Sequence, residues 1–277
     1  MLQTALYHYL RKECDTVTAA YATLQEAPGD ADAIHAMRVG VKKLKAFFSL
    51  VKQLPDYSFG SGKHLRTARL IQSIGGASRD AHLQEKNLRR YEKKVSWRFS
   101  VAHLLLQNKA ATASEMLAAT LKYSSLKKLD SLPEQFKEAI ADTDPKAATA
   151  ALISYLEAQH KKITVPASRA HHTVWHEVRK EVKALYYQLN ILEQVLPAVF
   201  TENLATPTRK AGELLGQWHD TSVLLLFVKA TVAQLKKEKV TLPVNAQQLI
   251  QLLQMDMKEQ LAQCAWQVKE LKAAAGF

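Results

Sequence analysis

The stretch His35-Ala36-Met37-Arg38-Val39-Gly40-Val41-Lys42-Lys43-Leu44-Lys45 returns in part as His176-Glu177-Val178-Arg179-Lys180-Glu181-Val182-Lys183-Ala184-Leu185-Tyr186. His35, Arg38 and Lys42 meet His176, Arg179 and Lys183 at a common offset of 141 residues, while Lys45 meets Tyr186. Downstream, Arg69, Gly76 and Asp80 meet Arg209, Gly216 and Asp220 at an offset of 140 residues. Ordered matches at a near-constant offset, close to half of 277 residues, read as the duplication of one multi-helix unit. The expected organisation is a single domain over 1–277, with internal halves of about 1–143 and 144–277.

Both copies carry the helical period. At about 100° per residue, His35, Arg38, Lys42 and Lys45 fall within one arc of about 80°. Ile34, Met37, Val41, Leu44 and Phe48 fill the adjoining arc. The second copy has the same phase, with His176, Arg179 and Lys183 polar and Trp175, Val178, Val182, Leu185 and Leu189 apolar. A solvated helix usually alternates Glu with Lys at i, i+4, because opposite charges support one another. Here the cations beside the apolar seam have no interleaved acid, so they call for a counter-charge from outside the helix. For one helix, a solvated basic face with snorkelling stems is the simpler reading. Its recurrence in phase favours two stripes facing each other across a positively charged groove or pore. Arg offers a planar fork to phosphate oxygens, Lys a mobile point charge, and His a donor that a polyanion would double by protonation.

The rest of the chain is also helical in pattern. Helices are expected over about 2–24, from Asp30 or Asp32 to 51, over 62–77, and from about Asp80 past Trp97 towards Gln107. Others follow over 121–141 broken by Pro133, from Asp144-Pro145 to 162, and from about Arg169 to Leu196. Shorter ones are expected at 207–216 and 220–239, with a last one over 245–274. No segment alternates with period two, so the class is all-α. Nine glycines and eight prolines are too few for the turns of a sandwich, barrel or propeller.

Thirty-eight Lys and Arg against 26 Asp and Glu leave a formal charge of +12, which points to a polyanionic partner without naming it. Cys14 and Cys264 sit at opposite ends of the chain and suggest neither a disulfide framework nor a zinc site. The start MLQTALYHYLRKECD has charges where a secretory signal needs an apolar core, and the run 223–228 is far short of a membrane span. The chain is therefore expected in the cytoplasm, without a membrane partner.

Further cations extend the pattern. Lys63, Arg66 and Arg69 follow one another at helical spacing, with Arg209 and Lys210 in the counterpart. Arg79, Lys86, Arg89 or Arg90, and Lys93 recur about every turn, but Glu85 and Glu92 interleave, which fits an exposed face equally well. Asp80 and Asp220 are expected mainly as helix N-caps, with orientation of a nearby Arg or His as the alternative. His171, His172 and His176 include an i, i+4 pair, yet no Glu stands in the zinc-protease register, and a helix-start cluster is the favoured reading. His219-Asp220 is a lone dipeptide without further ligands. No metal site and no cofactor are expected.

The repeated His-x-x-Arg-x-x-x-Lys motif of His35 and His176 resembles the CHAD family, the conserved histidine α-helical domain. Ile74-Gly75-Gly76-Ala77-Ser78-Arg79-Asp80 and Leu214-Leu215-Gly216-Gln217-Trp218-His219-Asp220 are similar to its second landmark. The resemblance covers essentially the whole chain. It implies two four-helix-bundle-like halves related by a pseudo-twofold axis, with basic residues between them. It further implies non-catalytic binding of inorganic polyphosphate and association with polyphosphate granules. The implied contacts are His35, Arg38, Lys42, Lys45, Arg66, Arg69, His176, Arg179, Lys183 and Arg209. Lys63, Arg79, Lys86, Arg90, Lys93, Lys210 and His219 are secondary candidates. Lys42, Lys43 and Lys45 stand where arginine is common in the family, which weakens bidentate clamping, and Tyr186 shortens the second stripe.

Two other readings stay open. A nucleic-acid binder fits the charge, but no recognition-helix turn, zinc finger or glycine-aromatic RNA motif appears. A phosphohydrolase lacks a glycine-rich phosphate loop and clustered carboxylates for magnesium.

Overall fold

The computed structural model describes residues 2–167, 170–200 and 202–274. Among them are ten helices and no strand: α1 Leu2–Glu26, α2 Ala31–Val51, α3 Gly62–Val95, α4 Ser100–Lys122 and α5 Lys127–Asp130. The remaining five are α6 Leu132–Ala139, α7 Pro145–Lys162, α8 His172–Val195, α9 Glu202–Lys237 and α10 Val244–Ala273. Several boundaries follow from local chemistry. The Asp30 carboxylate accepts the Ala33 N–H at 2.7 Å and starts α2, and Asp144 does the same for Ala147 at the start of α7. Pro145 occupies the first turn of α7, where its missing N–H costs nothing. Ser96, at φ 49°, takes the left-handed conformation that ends α3.

Five expectations change. The expected helices 62–77 and 80–107 form one helix, α3, with the break displaced to 96–99. Likewise 207–216 and 220–239 are one helix, α9. Gly75-Gly76, Gly216 and the two aspartates resemble boundary signals, but buried neighbours such as Ile71, Ser78 and Ala81, or Leu215, Trp218 and Thr221, hold both segments helical by packing. Asp80 and Asp220 are therefore mid-helix residues and cap nothing. Pro133 opens α6 instead of interrupting a longer helix, because a proline in the first turn loses no intrahelical bond. The helix expected from about Arg169 begins at His172, and Arg169 itself lies outside the described residues.

The apolar residues form two cores. The larger unites α1, α2 and α8 with the first part of α3, the first part of α9 and the end of α10; Phe47, Leu44, Trp175, Leu185, Leu215 and Cys264 are all within it. It contains residues from either side of 143/144. The smaller core joins Leu88 and Tyr91 of α3, Leu106 of α4, Leu224 and Val228 of α9, and Leu249 and Leu253 of α10. Thus α3 and α9 each run from one core into the other. Gly40 lets α1 and α2 approach closely, since a Cβ there would meet Val17 Cγ2 at 2.5 Å. Cys14 and Cys264 are free and buried. No helix of the described residues is long and apolar enough to cross a membrane.

Candidate functional site

The apolar seams of α2 and α8 are buried as their periodicity requires: Ile34, Met37, Val41, Leu44 and Phe48 on one, Trp175, Val178, Val182, Leu185 and Leu189 on the other. Burying those faces fixes the rotation of each helix and so turns His35, Arg38, Lys42 and Lys45, and His176, Arg179 and Lys183, away from the core centre.

Arg38 reaches across to α3. Its Nη2 donates to Asp80 Oδ1 at 3.1 Å, with the arginine side chain 15% exposed and the aspartate 54%. Gly76 makes that reach possible: a Cβ there would stand 2.1 Å from Arg38 Nη1. Gly76 and Asp80 are four residues apart on one face of α3, so the helix offers a gap and then an acceptor along the path of the guanidinium. Orientation of Arg38 is thus what Asp80 does, the alternative left open by its spacing. Arg179 has no ion-pair partner among the described residues, and the Nε atoms of both arginines are buried without an acceptor. Lys183 packs by Gly212 and holds its ammonium 5.8 Å from the Tyr186 ring centroid, so the tyrosine in place of a base still contacts a stripe cation.

Crowding of like charge shows in the titrations. Enclosure by protein, then the charges of Arg38 on α2 and of Arg179 and Lys183 on α8, lowers Lys42 to about 8. Burial, then Arg179, lowers Lys183 as well. Burial with Arg179 and His176 beside it brings His219 down to about 4; its ring lies 5.1 Å from that of His176, centroid to centroid. Partial enclosure and the charges of Arg79, Lys42 and Arg38 hold His35 below the ordinary imidazole value. Burial raises the Asp220 carboxyl against the pull of Arg179. The fields of the α2 and α8 stripes therefore overlap.

Arg38, Lys45, Arg69, Gly76, Asp80 and Lys109 line a cleft of about 670 Å³. A second space of about 100 Å³ shares Asp80, Gln84 and Val223 with it and adds His219 and Asp220. A third, of about 290 Å³, is lined by His172, His176, Trp218 and His219, and again by Val223. Several candidates stand apart from these walls, and His35, Lys42, Arg179 and Lys183 line none of the three spaces. Lys63, Arg66 and Lys210 are exposed, and Arg209 is exposed and 3.6 Å from Glu213 on its own helix. Lys43 faces the other way, 2.8 Å from the buried Glu13 carboxylate, and is a structural cation. Lys86, Arg90 and Lys93 lie further along α3. Lys109 on α4 was not a candidate, because nothing in its local pattern marks it; only the turn at 96–99 folds it back onto the cleft. His171 accepts the Thr173 N–H at 3.5 Å at the start of α8, which fits a helix-start cluster. Among the described residues no group of three or more His, Cys, Asp or Glu is placed to hold a metal ion.

A model of the CHAD domain family matches residues 4–229, a span that holds both stripes and both glycine-aspartate segments. The chain belongs to the CHAD family. This CHAD chain is similar in fold to the crystal structure of the CHAD domain from the plant Ricinus communis, with a TM-score of 0.74 and 16% identity, over 100% of this chain and 93% of that one. It is also similar to PptA from Streptomyces chartreusis, with a TM-score of 0.65 and 16% identity, over 97% and 98% of the two chains. At such identity the likeness speaks for the CHAD fold alone. A search of curated protein sequences found no match.

Proposed function

We propose that the chain binds inorganic polyphosphate without catalysis, through a basic groove between the α2 and α8 stripes, and associates with polyphosphate granules by that binding. The observation that carries the reading is the state of Lys42 on α2, which burial, Arg38 beside it, and Arg179 and Lys183 across on α8 hold at about 8. A protein that holds like charges together gains most from a ligand that neutralises them all at once. A linear polyanion without bases needs only such an array of donors. We read the two stripes as equivalent positions of a duplicated unit within one domain, its halves meeting where α2 and α8 pack.

The test compares long polyphosphate, pyrophosphate and duplex DNA over a salt series. Long polyphosphate should be held to the highest salt, with log affinity falling linearly against log salt. Tighter binding of DNA at equal charge concentration would overturn the reading. The same titration has a pH signature. A bound polyanion raises the pKa of neighbouring cations, so binding takes up protons and affinity falls as pH rises. With Lys42 at about 8 in the free chain, the decline should set in near pH 8 and continue upward to the higher pKa that the bound polyanion gives it, and Lys42→Met should flatten it. A second consequence concerns Gly76. In Gly76→Ala the new methyl displaces the Arg38 guanidinium from Asp80, while alanine favours the helix by about 1 kcal/mol. Polyphosphate affinity should fall about tenfold, the worth of one charge-assisted hydrogen bond, without a lower melting temperature. Affinity unchanged in this variant would mean that the Arg38–Asp80 geometry is irrelevant to binding.

A further inference from the structure

The second half of α3 presents cations that the cleft does not use. At 100° per residue, Arg79, Lys86, Arg90 and Lys93 lie within an arc of about 60°, over about 21 Å of helix. This arc faces away from Leu88 and Tyr91, which are buried in the smaller core. The interleaved acids of the sequence are not on it. Glu85 and Glu92 sit about 80° or more to one side. They are also engaged: Glu85 binds Arg89 at 2.7 Å and His103 at 3.2 Å, and Glu92 accepts the Phe99 N–H at 2.6 Å and faces His103 at 2.8 Å. Elsewhere on this stretch cations do find acids, Arg89 at Glu85 and Lys94 at Asp256 3.4 Å away. Arg79, Lys86, Arg90 and Lys93 have no ion-pair partner among the described residues; Arg90 rests on the Tyr91 ring at 5.3 Å. The near end adjoins the α2 stripe, because Arg79 and Lys86 line a cleft of about 500 Å³ with Ile34, the residue before His35. Asp32 stands beside His35, so the path is free of acids only from Arg79 onward.

We infer that this outer face of α3 is a second binding surface, continuous with the groove, which seats the part of a long polyphosphate chain that runs out past His35. The inference rests on the polyphosphate reading and adds chain-length selectivity to it: a short chain fills the groove alone, and a long one also occupies the α3 track.

The test replaces Lys86, Arg90 and Lys93 together by Gln and measures affinity for tripolyphosphate and for long-chain polyphosphate over a salt series. A matched control replaces the exposed Lys12, Lys122 and Lys146 by Gln, giving the same net charge. The track variant should lose at least tenfold in long-chain affinity, and its salt slope should drop by about 2 to 3, close to one for each cation removed. Its tripolyphosphate affinity should stay within twofold of the unaltered chain, as should both affinities of the control. Equal losses for long and short chains, or no loss for the long chain, would sink the α3 track while leaving the groove intact. An unaltered chain that binds neither ligand fails the underlying polyphosphate reading instead.

Discussion

Reversing Arg38 and Arg179 together to Glu is expected to reduce polyphosphate affinity by about 10²- to 10⁴-fold. Each arginine stands at the middle of its stripe, and each offers charge-assisted hydrogen bonds worth about 1.5–3 kcal/mol to a phosphate oxygen. Losing both removes about 3–6 kcal/mol, before the repulsion of two new carboxylates beside Asp80 and Asp220 is counted. Arg38 is mostly enclosed and Arg179 half-buried, so reversal also strains the free chain. The neutral pair Arg38→Gln and Arg179→Gln separates the two effects, since it keeps polar side chains at both places without the like charge. Circular dichroism should show retained helix in the neutral pair, and retention on immobilised polyphosphate should still collapse. Undiminished retention of either folded variant would refute the proposed role of the stripes.

Truncating the larger core should be the costliest change to the fold. Phe47 is fully buried, stacks on Tyr9 at 5.6 Å and meets Phe136 edge-on at 5.2 Å. Phe47→Ala is expected to cost about 3–5 kcal/mol, and Leu185→Ala on α8 about 2–5 kcal/mol. The two residues lie on opposite sides of residue 143, yet in one continuous core. Both variants should therefore lower a single cooperative transition of the whole chain, seen alike by near- and far-ultraviolet circular dichroism. Two transitions, each sensitive to one variant only, would show halves that fold separately and overturn the single-domain reading.

Much of this was legible in the residues themselves. The seam from Ile34 to Phe48 and its partner from Trp175 to Leu189 set helix class and rotation at once, because the 3.6-residue period couples burial of one face to presentation of the next. Asp30 and Asp144 announced their helices by capping chemistry that acts within three residues. What stayed illegible depends on contacts distant in sequence. Gly76 and Asp80 look like a helix end when read locally, and become a slot and an acceptor only once Arg38 arrives from 42 residues away. Lys109 belongs to the cleft through the turn after Ser96, which no pattern around position 109 foretells. Glu85 and Glu92 argued for an ordinary exposed face until His103 and Phe99 engaged them.

The passage of α3 and α9 through both cores bears on how a ligand is met. Leu65, Ala68 and Ile71 fix α3 at one end and Leu88 and Tyr91 at the other, while Leu215 and Trp218 fix α9 before His219 and Leu224 and Val228 after it. Asp80, Gln84, His219, Asp220 and Val223 lie along the stretches between these anchorages, where Ser78, Ala81 and Thr221 are also buried. Each helix is thus a beam clamped at both ends, and such a beam has no hinge. On the proposed reading, the gap between the two beams should keep one gauge with or without a chain of phosphates in it, and capture is expected to involve threading and counter-ion exchange without closure of a lid.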